Sequence, residues 1–313
     1  MSVKIQWNKG DVFMDKIKVM LIVNPCAGKK YGEKLSDRVA ELFRAEGAHC
    51  DLFLTGHPGD GTKFVLSHGR AYDIIACMGG DGTLNEVING LLGSRLDIPL
   101  GYIPAGSTND FANSMHLSKD PQQAVKDILA CHTETIDAGR FDDRYFSYVA
   151  SFGAFTRSSY STPQSLKNML GRFSYFLEGA KDLSEIHSEH MTVQTDSQTF
   201  EGDYAFGAIS NSTTIGGLVK YDKSDVNVSD EKLEMLLIRM PGSLADLLSV
   251  VHSITHKDYL GSPYIDFCRA DRFAIHSDRE TDWSLDGEFA HSPGNSVVSC
   301  VKNKINFIKP KYI

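Results

Sequence analysis

A glycine-rich pentapeptide, Gly79-Gly80-Asp81-Gly82-Thr83, contains the residues best suited to chemistry in this chain. It follows the apolar segment 72–78, which predicts a buried strand, and precedes residues 84–92, whose apolar side chains recur at helical spacing. Glycines at a strand-to-helix turn let a ligand approach the main chain, and the N–H groups of the helix start favour an anion such as phosphate. Asp81 is then expected to engage Mg²⁺ or its water shell, and Thr83 to donate to phosphate.

The pentapeptide can also be a tight turn in which Asp81 or Thr83 caps the helix. A second copy, Pro58-Gly59-Asp60-Gly61-Thr62, repeats four of its five letters and also lies between a predicted strand and a predicted helix. For this second copy we favour capping, because nothing near Asp60 in the sequence adds phosphate or metal chemistry.

Two further loops offer similar chemistry. Asn24-Pro25-Cys26-Ala27-Gly28-Lys29 follows the first predicted strand, and Pro104-Ala105-Gly106-Ser107-Thr108-Asn109-Asp110 follows the fourth. Either loop alone is an ordinary turn or cap, but parallel strands would bring all three loops to one sheet edge, where ligands bind. The standard nucleotide motifs are incomplete, since Val23 stands at the first glycine of a Walker A loop and Asn85 at the last glycine of a dinucleotide fingerprint.

The elements that position these loops alternate. Strands are predicted at 17–23, 50–54, 73–78 and 98–103, and helices at 33–45, 60–68 and 84–92. Such alternation predicts βαβ units, a parallel sheet and helices on both faces. Beyond about residue 135 the pattern changes to short strands, predicted at 144–150, 191–195, 203–210, 233–239 and 273–276. A long helix at Ser165 to Ile186 interrupts them, and its apolar stripe is interpreted as a packing face rather than a lipid contact.

Composition and charge restrict the class of protein. The 313 residues are 42% hydrophobic, which permits a full core, and the net charge of -8 disfavours nucleic acid as a partner. Six cysteines without a Cys-x-x-Cys pair fit a reducing cytosol better than a zinc site or a disulfide framework. No secretory signal and no run of roughly 18 apolar residues is found, so membrane contact is expected to be peripheral.

Near the C-terminus, Trp283-Ser284-Leu285-Asp286-Gly287-Glu288-Phe289 places two carboxylates around a glycine, which alone is typical of a solvated turn. Together with the three loops, this segment resembles the diacylglycerol kinase catalytic-domain family, which includes sphingosine and ceramide kinases. The soluble bacterial members are most similar, because their Ser-Tyr-x-Thr-Pro-x-x-Leu-Lys segment looks like residues 159–167 here. The resemblance runs from about residue 18 to 308.

The resemblance implies an α/β fold with two domains. A three-layer parallel-sheet nucleotide domain, similar to those of phosphofructokinases and NAD kinases, would comprise residues 1–135 and 303–313. A β-sandwich domain at 136–302 would bind the lipid, and a strand around 305–308 would return to the first domain. The implied activity is MgATP-dependent phosphorylation of a lipid hydroxyl, most simply diacylglycerol, at the inner face of the membrane in the cytoplasm. A homodimer would follow the nearest relatives.

Residue by residue, the resemblance implies that the nucleotide is held by Asn24, Lys29, Gly79, Gly80, Gly82, Thr83, Gly106, Ser107 and Asn109. Asp81 would engage Mg²⁺, and Glu288 would be the catalytic base. Ser107 stands where the family usually has threonine, and it keeps the hydroxyl. Asp230 stands near a structural magnesium ligand of the bacterial enzymes, although the surrounding segment 220–233 departs from the family pattern.

Alternatives stay open at this point. The lipid could be phosphatidylglycerol or a sphingoid base. NAD kinases share the glycine-rich pentapeptide, but the long apolar-rich second half and the turn at 286–288 argue against a kinase with a water-soluble substrate. A nucleotide-binding regulator without catalysis is suggested by the altered segment 220–233.

Overall fold

The computed structural model describes residues 16–28, 32–106, 109–153, 187–212, 214–215, 219–220 and 228–311. The helices in these ranges are α1 (Gly32–Ala45), α2 (Asp60–His68), α3 (Asp81–Ser94), α4 (Asp110–Ser114), α5 (Pro121–Ala130) and α6 (Leu244–His256). None of these described helices is long and apolar enough to cross a membrane. The long helix predicted at Ser165 to Ile186 lies outside the described residues.

The first strands are β1 (Lys18–Val23), β2 (His49–Leu54), β3 (Ile74–Gly79), β4 (Leu100–Pro104), β5 (Thr133–Phe141), β6 (Arg144–Phe146), β7 (Val149–Gly153), β8 (Glu189–Gln194) and β9 (Thr199–Ser210). The remaining strands are β10 (Thr214–Ile215), β11 (Val219–Lys220), β12 (Leu233–Arg239), β13 (Ile265–Ala270), β14 (Arg272–Ser277), β15 (Thr281–Leu285), β16 (Glu288–Ser292) and β17 (Asn295–Ile308).

The first half is a parallel sheet with helices on both faces, as predicted. β1 pairs in parallel with β2 and β3, and β3 pairs in parallel with β4. Successive strand residues point to opposite faces, so Met20 packs in one core with Leu84 of α3, whereas Leu21 packs in another core with Phe43 of α1. The three-layer α/β arrangement is therefore confirmed for this half.

The second half is sheet-rich and mostly antiparallel. β9 is its centre and pairs with β7, β8 and β12, while β15 pairs with β7 and with β16 at the edge. Its core surrounds the buried Trp283, whose ring lies 4.9 Å from Phe141 and 4.8 Å from Phe152 between centroids. β17 pairs with β14 and β5, and its end pairs in parallel with β4, where Phe307 lies opposite Leu100. One strand thus joins the two halves.

The single strand predicted at 144–150 is wrong, because the structure divides it into β6 and β7. The break falls at Ser147 and Tyr148, whose backbone N–H groups donate to the carboxylate of Asp286 instead of to a neighbouring strand. A side chain distant in sequence therefore replaces the ladder hydrogen bonds at this point.

Helix α6 is absent from the sequence predictions, although its start carries a recognisable signal. The hydroxyl of Ser243 accepts a hydrogen bond from the backbone N–H of Asp246 at 3.2 Å, which is an N-cap, and an acidic residue lies in the first turn. The helix packs Val250 and Ile254 against the core that also contains α3.

Candidate active site

The glycine-rich pentapeptide lies between β3 and α3, where the sequence places it. Gly80 has an extended backbone, with φ -92° and ψ -174°, and no side chain in the described residues caps the helix at this position. The Asp81 carboxylate instead accepts a hydrogen bond from the backbone N–H of Phe111 at 3.2 Å. The capping alternative for this copy therefore does not hold. Thr83 is buried, and Asp81 and Gly82 are partly exposed.

The glycine-rich turn contacts the loop after β4. The backbone N–H groups of Ala105 and Gly106 both donate to the carbonyl oxygen of Gly79, at 2.7 and 3.0 Å. A β-carbon on Gly106 would lie only 2.5 Å from the Cα of Gly80, so this close approach requires glycine. The two loops are packed backbone against backbone.

The loop after β1 joins the same group. The backbone N–H of Asn24 donates to the carbonyl oxygen of Met78 at 3.0 Å, and the Asn24 side-chain oxygen accepts from the N–H of Cys26 at 2.9 Å. Gly28 has φ +66°, and a β-carbon there would collide with the carbonyl oxygen of Ala105. The structure thus brings the three loops together at one sheet edge. Lys29 and Ser107, which were predicted to bind the nucleotide, lie outside the described residues.

The side chain of Asn109 stabilises the loop after β4. Its side-chain oxygen accepts from the N–H of Gly106 at 2.9 Å, and its side-chain nitrogen donates to the Gly106 carbonyl at 2.8 Å. The Tyr102 hydroxyl, which also donates to the Gly79 carbonyl, lies 3.3 Å from the same oxygen of Asn109. Both ends of this buried amide are engaged within the loop, so Asn109 fixes the position of Gly106.

Glu288 approaches the glycine-rich turn from the second half of the chain. It begins β16, directly after a two-residue turn in which Asp286 and Gly287 have φ 51° and 93°. Two positive φ values are typical of a type I′ hairpin turn, for which Asp-Gly is a favoured sequence. The exposed Glu288 carboxylate places Oε1 3.2 Å from the point that a β-carbon on Gly82 would occupy. The chain therefore brings these two sequence-predicted residues into one cleft.

Asp286 fixes that hairpin turn from inside the protein. Its carboxylate is 4% exposed and accepts five hydrogen bonds, from the backbone N–H groups of Ser147, Tyr148 and Val149, the Ser147 hydroxyl and the side chain of Asn85. Burial raises the pKa of Asp286, and the hydrogen bonds from Ser147, Val149 and Tyr148 oppose that rise. All five partners are donors, which is the environment of an ionised carboxylate.

Two asparagines of α3 reach across to the second half. The side chain of Asn85 donates to Asp286 at 2.7 Å, and Asn89 exchanges hydrogen bonds with the backbone N–H and carbonyl of Tyr145, each at 3.1 Å. Sequence reasoning missed both residues. Their signal is the spacing Asp81, Asn85, Asn89, which puts polar side chains on one face of an otherwise apolar helix.

The second copy of the pentapeptide has its helix start occupied by the chain itself. The carboxylate of Glu86 accepts from the backbone N–H groups of Gly59 and Gly61, both at 2.8 Å. The Asp60 carboxylate points away from the helix, toward the preceding loop, and accepts hydrogen bonds from the backbone N–H groups of Gly56 and His57. These hydrogen bonds lower the pKa of Asp60. The capping predicted for this copy is wrong, because Gly59 is the N-cap residue and has no side-chain cap hydrogen bond. The carboxylate at this helix start is that of Glu86.

Asp230, which was predicted as a metal ligand, has protein partners in the structure, and its role toward a metal stays a prediction. Its carboxylate forms an ion pair with Arg269 and accepts from the N–H of Lys232 at 3.2 Å. Nε of Arg269 also lies 3.3 Å from Oε1 of the buried Glu234. Within the described ranges, no group of three or more His, Cys, Asp and Glu side chains is arranged to hold a metal ion. At this place a guanidinium supplies the positive charge.

The fold and the geometry together describe an α/β protein whose three glycine-containing loops face a carboxylate from a sheet-rich second half. A family model described as the diacylglycerol kinase catalytic domain matches residues 18–141. The diacylglycerol kinase of Staphylococcus haemolyticus (strain JCSC1435) is 31% identical over 296 residues, which cover 94% of this chain and 88% of that protein. The Bacillus subtilis (strain 168) diacylglycerol kinase is 27% identical over 296 residues, which cover 94% of this chain and 97% of that protein.

Solved structures agree on the fold. The crystal structure of a diacylglycerol kinase from Bacillus anthracis str. Sterne matches with a TM-score of 0.71 at 21% identity, over 96% of this chain and 99% of that chain. A second crystal structure from the same organism reaches a TM-score of 0.79 at 22% identity, over 97% and 99%. The chain belongs to the diacylglycerol kinase family.

Proposed function

We propose that the chain is an ATP-dependent lipid kinase that transfers the γ-phosphoryl group to the hydroxyl of diacylglycerol and so forms phosphatidic acid. The observation that carries this proposal is the position of the Glu288 carboxylate beside Gly82 of the glycine-rich turn. Relatives named diacylglycerol kinase along nearly the whole chain support the lipid and the reaction class.

The nucleotide would bind across the three loops. Backbone N–H groups of the glycine-rich turn and the positive end of the α3 dipole would offset the charge of the phosphates. Mg²⁺ in kinase sites keeps several waters and uses one or two carboxylates with phosphate oxygens, and the partly exposed Asp81 fits one such carboxylate. When bound, the ion would neutralise charge on the transferring group.

The acceptor hydroxyl would approach from the side of Glu288. Its oxygen attacks the γ-phosphorus while the bond from that phosphorus to the bridging oxygen of ADP breaks. A primary hydroxyl is a poor nucleophile, so Glu288 takes its proton during the attack. The remaining barrier is lowered by positioning and by charge neutralisation rather than by covalent chemistry.

On this proposal residues 1–135 and 303–313 hold the nucleotide, and residues 136–302 hold the lipid. The protein works in the cytoplasm, in peripheral contact with the inner face of the membrane where its substrate lies, and it forms a homodimer as proposed from the resemblance.

The test is phosphorylation by labelled ATP of a panel comprising diacylglycerol, phosphatidylglycerol, sphingosine and NAD. Label in diacylglycerol is expected, and a chain that binds ATP but labels none of the four contradicts the kinase proposal. Glu288→Gln should lower kcat by about 10²- to 10⁴-fold with ATP binding retained. Glu280→Gln, an exposed carboxylate close to His291 of the same hairpin, is the matched control and should keep the wild-type rate.

A further inference from the structure

We propose that Asn85 and Asp286 are positioning residues, which together hold Glu288 at a fixed distance from the glycine-rich turn. This inference rests on the proposed function, in which Glu288 accepts the proton of the lipid hydroxyl. The inference explains why Asn85 and Asp286 are buried polar side chains, although neither is proposed to bind the phosphates and neither belongs to the apolar core.

The first step of the argument concerns α3. Asn85 lies four residues after Asp81, so the two side chains share one face of the helix. The side-chain nitrogen of Asn89 donates to the side-chain oxygen of Asn85 at 3.0 Å. This hydrogen bond turns the nitrogen of Asn85 toward Asp286, which accepts it at 2.7 Å. The helix that begins at the glycine-rich turn therefore carries a side-chain N–H, that of Asn85, which is oriented toward the hairpin turn.

The second step concerns the hairpin. Asp286 is the first residue of the type I′ turn, and Glu288 follows it by two residues. The Asp286 backbone N–H donates to the carbonyl oxygen of Val149 at 2.9 Å, while its carboxylate receives the five donors described above. A buried carboxylate with every partner in place cannot move without leaving unpaired donors behind. The turn, and with it Glu288, is therefore fixed relative to β7.

The third step joins the two. The contacts with β7 fix the hairpin within the second half of the chain. The side chains of Asn85 and Asn89 also bond the backbone of Tyr145 and so connect α3 to β6, whereas the bond from Asn85 to Asp286 reaches the turn itself. The bond between Asn85 and Asp286 spans 201 positions of sequence and connects the turn directly to the helix of the phosphate loop. Glu288 thereby lies beside Gly82.

Asn85→Ala tests the proposal, because Asp286 keeps its four other donors and the hairpin keeps its place in the sheet. Loss of the bond should lower kcat for diacylglycerol phosphorylation by about 10- to 100-fold, since displacements near 1 Å have such effects, while the Kd for ATP is unchanged. Asn306→Ala is the matched control, because Asn306 also donates to an aspartate, Asp97, at 2.5 Å on the protein surface. It should keep the wild-type kcat.

A double-mutant cycle separates positioning from a general structural role. If Asn85 acts through Glu288, the loss caused by Asn85→Ala should nearly vanish in the Glu288→Gln background. An equal loss in both backgrounds, or none in the wild type, overturns the inference. These outcomes differ from failure of the proposed function, in which the unmodified protein labels no lipid.

Hydrogen exchange of the turn gives a second readout that needs no activity. Asn85→Ala should accelerate amide exchange at residues 284–289 at least several-fold, and Asn306→Ala should not. Unchanged exchange at these residues in Asn85→Ala overturns the inference even for a chain without kinase activity.

Discussion

Substituting Gly106 by alanine would directly disturb the contact between the loop after β4 and the glycine-rich turn. The new β-carbon would lie 2.5 Å from the Cα of Gly80 and 2.8 Å from the side-chain oxygen of Asn109. Ordinary contacts between carbon atoms lie near 3.5 Å, so the two loops must separate by about 1 Å. Because both neighbours are held by hydrogen bonds, the separation displaces the N–H groups that the proposed function assigns to the phosphates.

A displacement of this size near the reacting atoms costs on the order of 100-fold in rate, or about 2.7 kcal/mol of transition-state stabilisation. Gly106→Ala is therefore expected to lower kcat/KM for ATP by about 100-fold, measured by transfer of labelled phosphate to diacylglycerol. Overpacking should also lower the free energy of unfolding by about 1 to 3 kcal/mol, which thermal denaturation would detect.

Gly93→Ala provides the control for this substitution. It makes the same chemical change in α3, where the new β-carbon meets only the Leu66 side chain at an ordinary 3.7 Å. Gly93 lies in the last turn of α3, so the substitution should leave the rate unchanged and stabilise the protein by less than the roughly 1 kcal/mol of a helix interior. A folded Gly106→Ala protein with kcat/KM within about threefold of the control would refute the reasoning about loop contact.

Two further predictions concern stability. Burial raises the pKa of Glu234 from 4.5 to about 8, against the lowering effect of Arg269 and with a smaller raising effect of Asp230. The folded protein then binds one more proton than the unfolded chain in this range, so the free energy of unfolding should fall by about 1 kcal/mol per pH unit as pH rises from about 5 to 8. Glu234→Gln should remove that slope in urea titrations, and an identical slope in the variant would contradict the assignment. Glu86→Ala should leave the start of α2 without its anion and lower the free energy of unfolding by about 2 kcal/mol, and an unchanged melting temperature would exclude this role.

Local sequence patterns were sufficient to predict most of the strands and helices in the first half of the chain. The strand before Gly79 and the helix after it were predicted within a few residues, because hydrophobic periodicity and the glycines act on neighbouring positions. The meeting of the three loops also followed from strand order, since parallel strands share one edge. The hairpin around Asp286 carried a signal, Asp-Gly at a type I′ turn, that was interpreted only as an exposed turn.

What the sequence could not supply were contacts between distant residues. The break between β6 and β7 depends on a carboxylate about 140 positions away, as the 139-residue separation of Ser147 and Asp286 shows. The occupation of the second pentapeptide by Glu86 depends on how α2 and α3 pack, and the pairing of Asp230 with Arg269 depends on the register of β12 and β13. In each case periodicity identifies the element, while tertiary packing decides which partner its polar groups meet.

Strand β17 has a mechanical consequence for the whole molecule. It is hydrogen-bonded to β14 near its start and to β4 near its end, so a rotation of one half against the other must bend a strand rather than swing on a flexible connection. The pairing of β17 with β5 shifts register between Val301 and Ile305. Irregularities of this kind are where a ladder bends most readily, so any bending of β17 is expected to concentrate at residues 302–304.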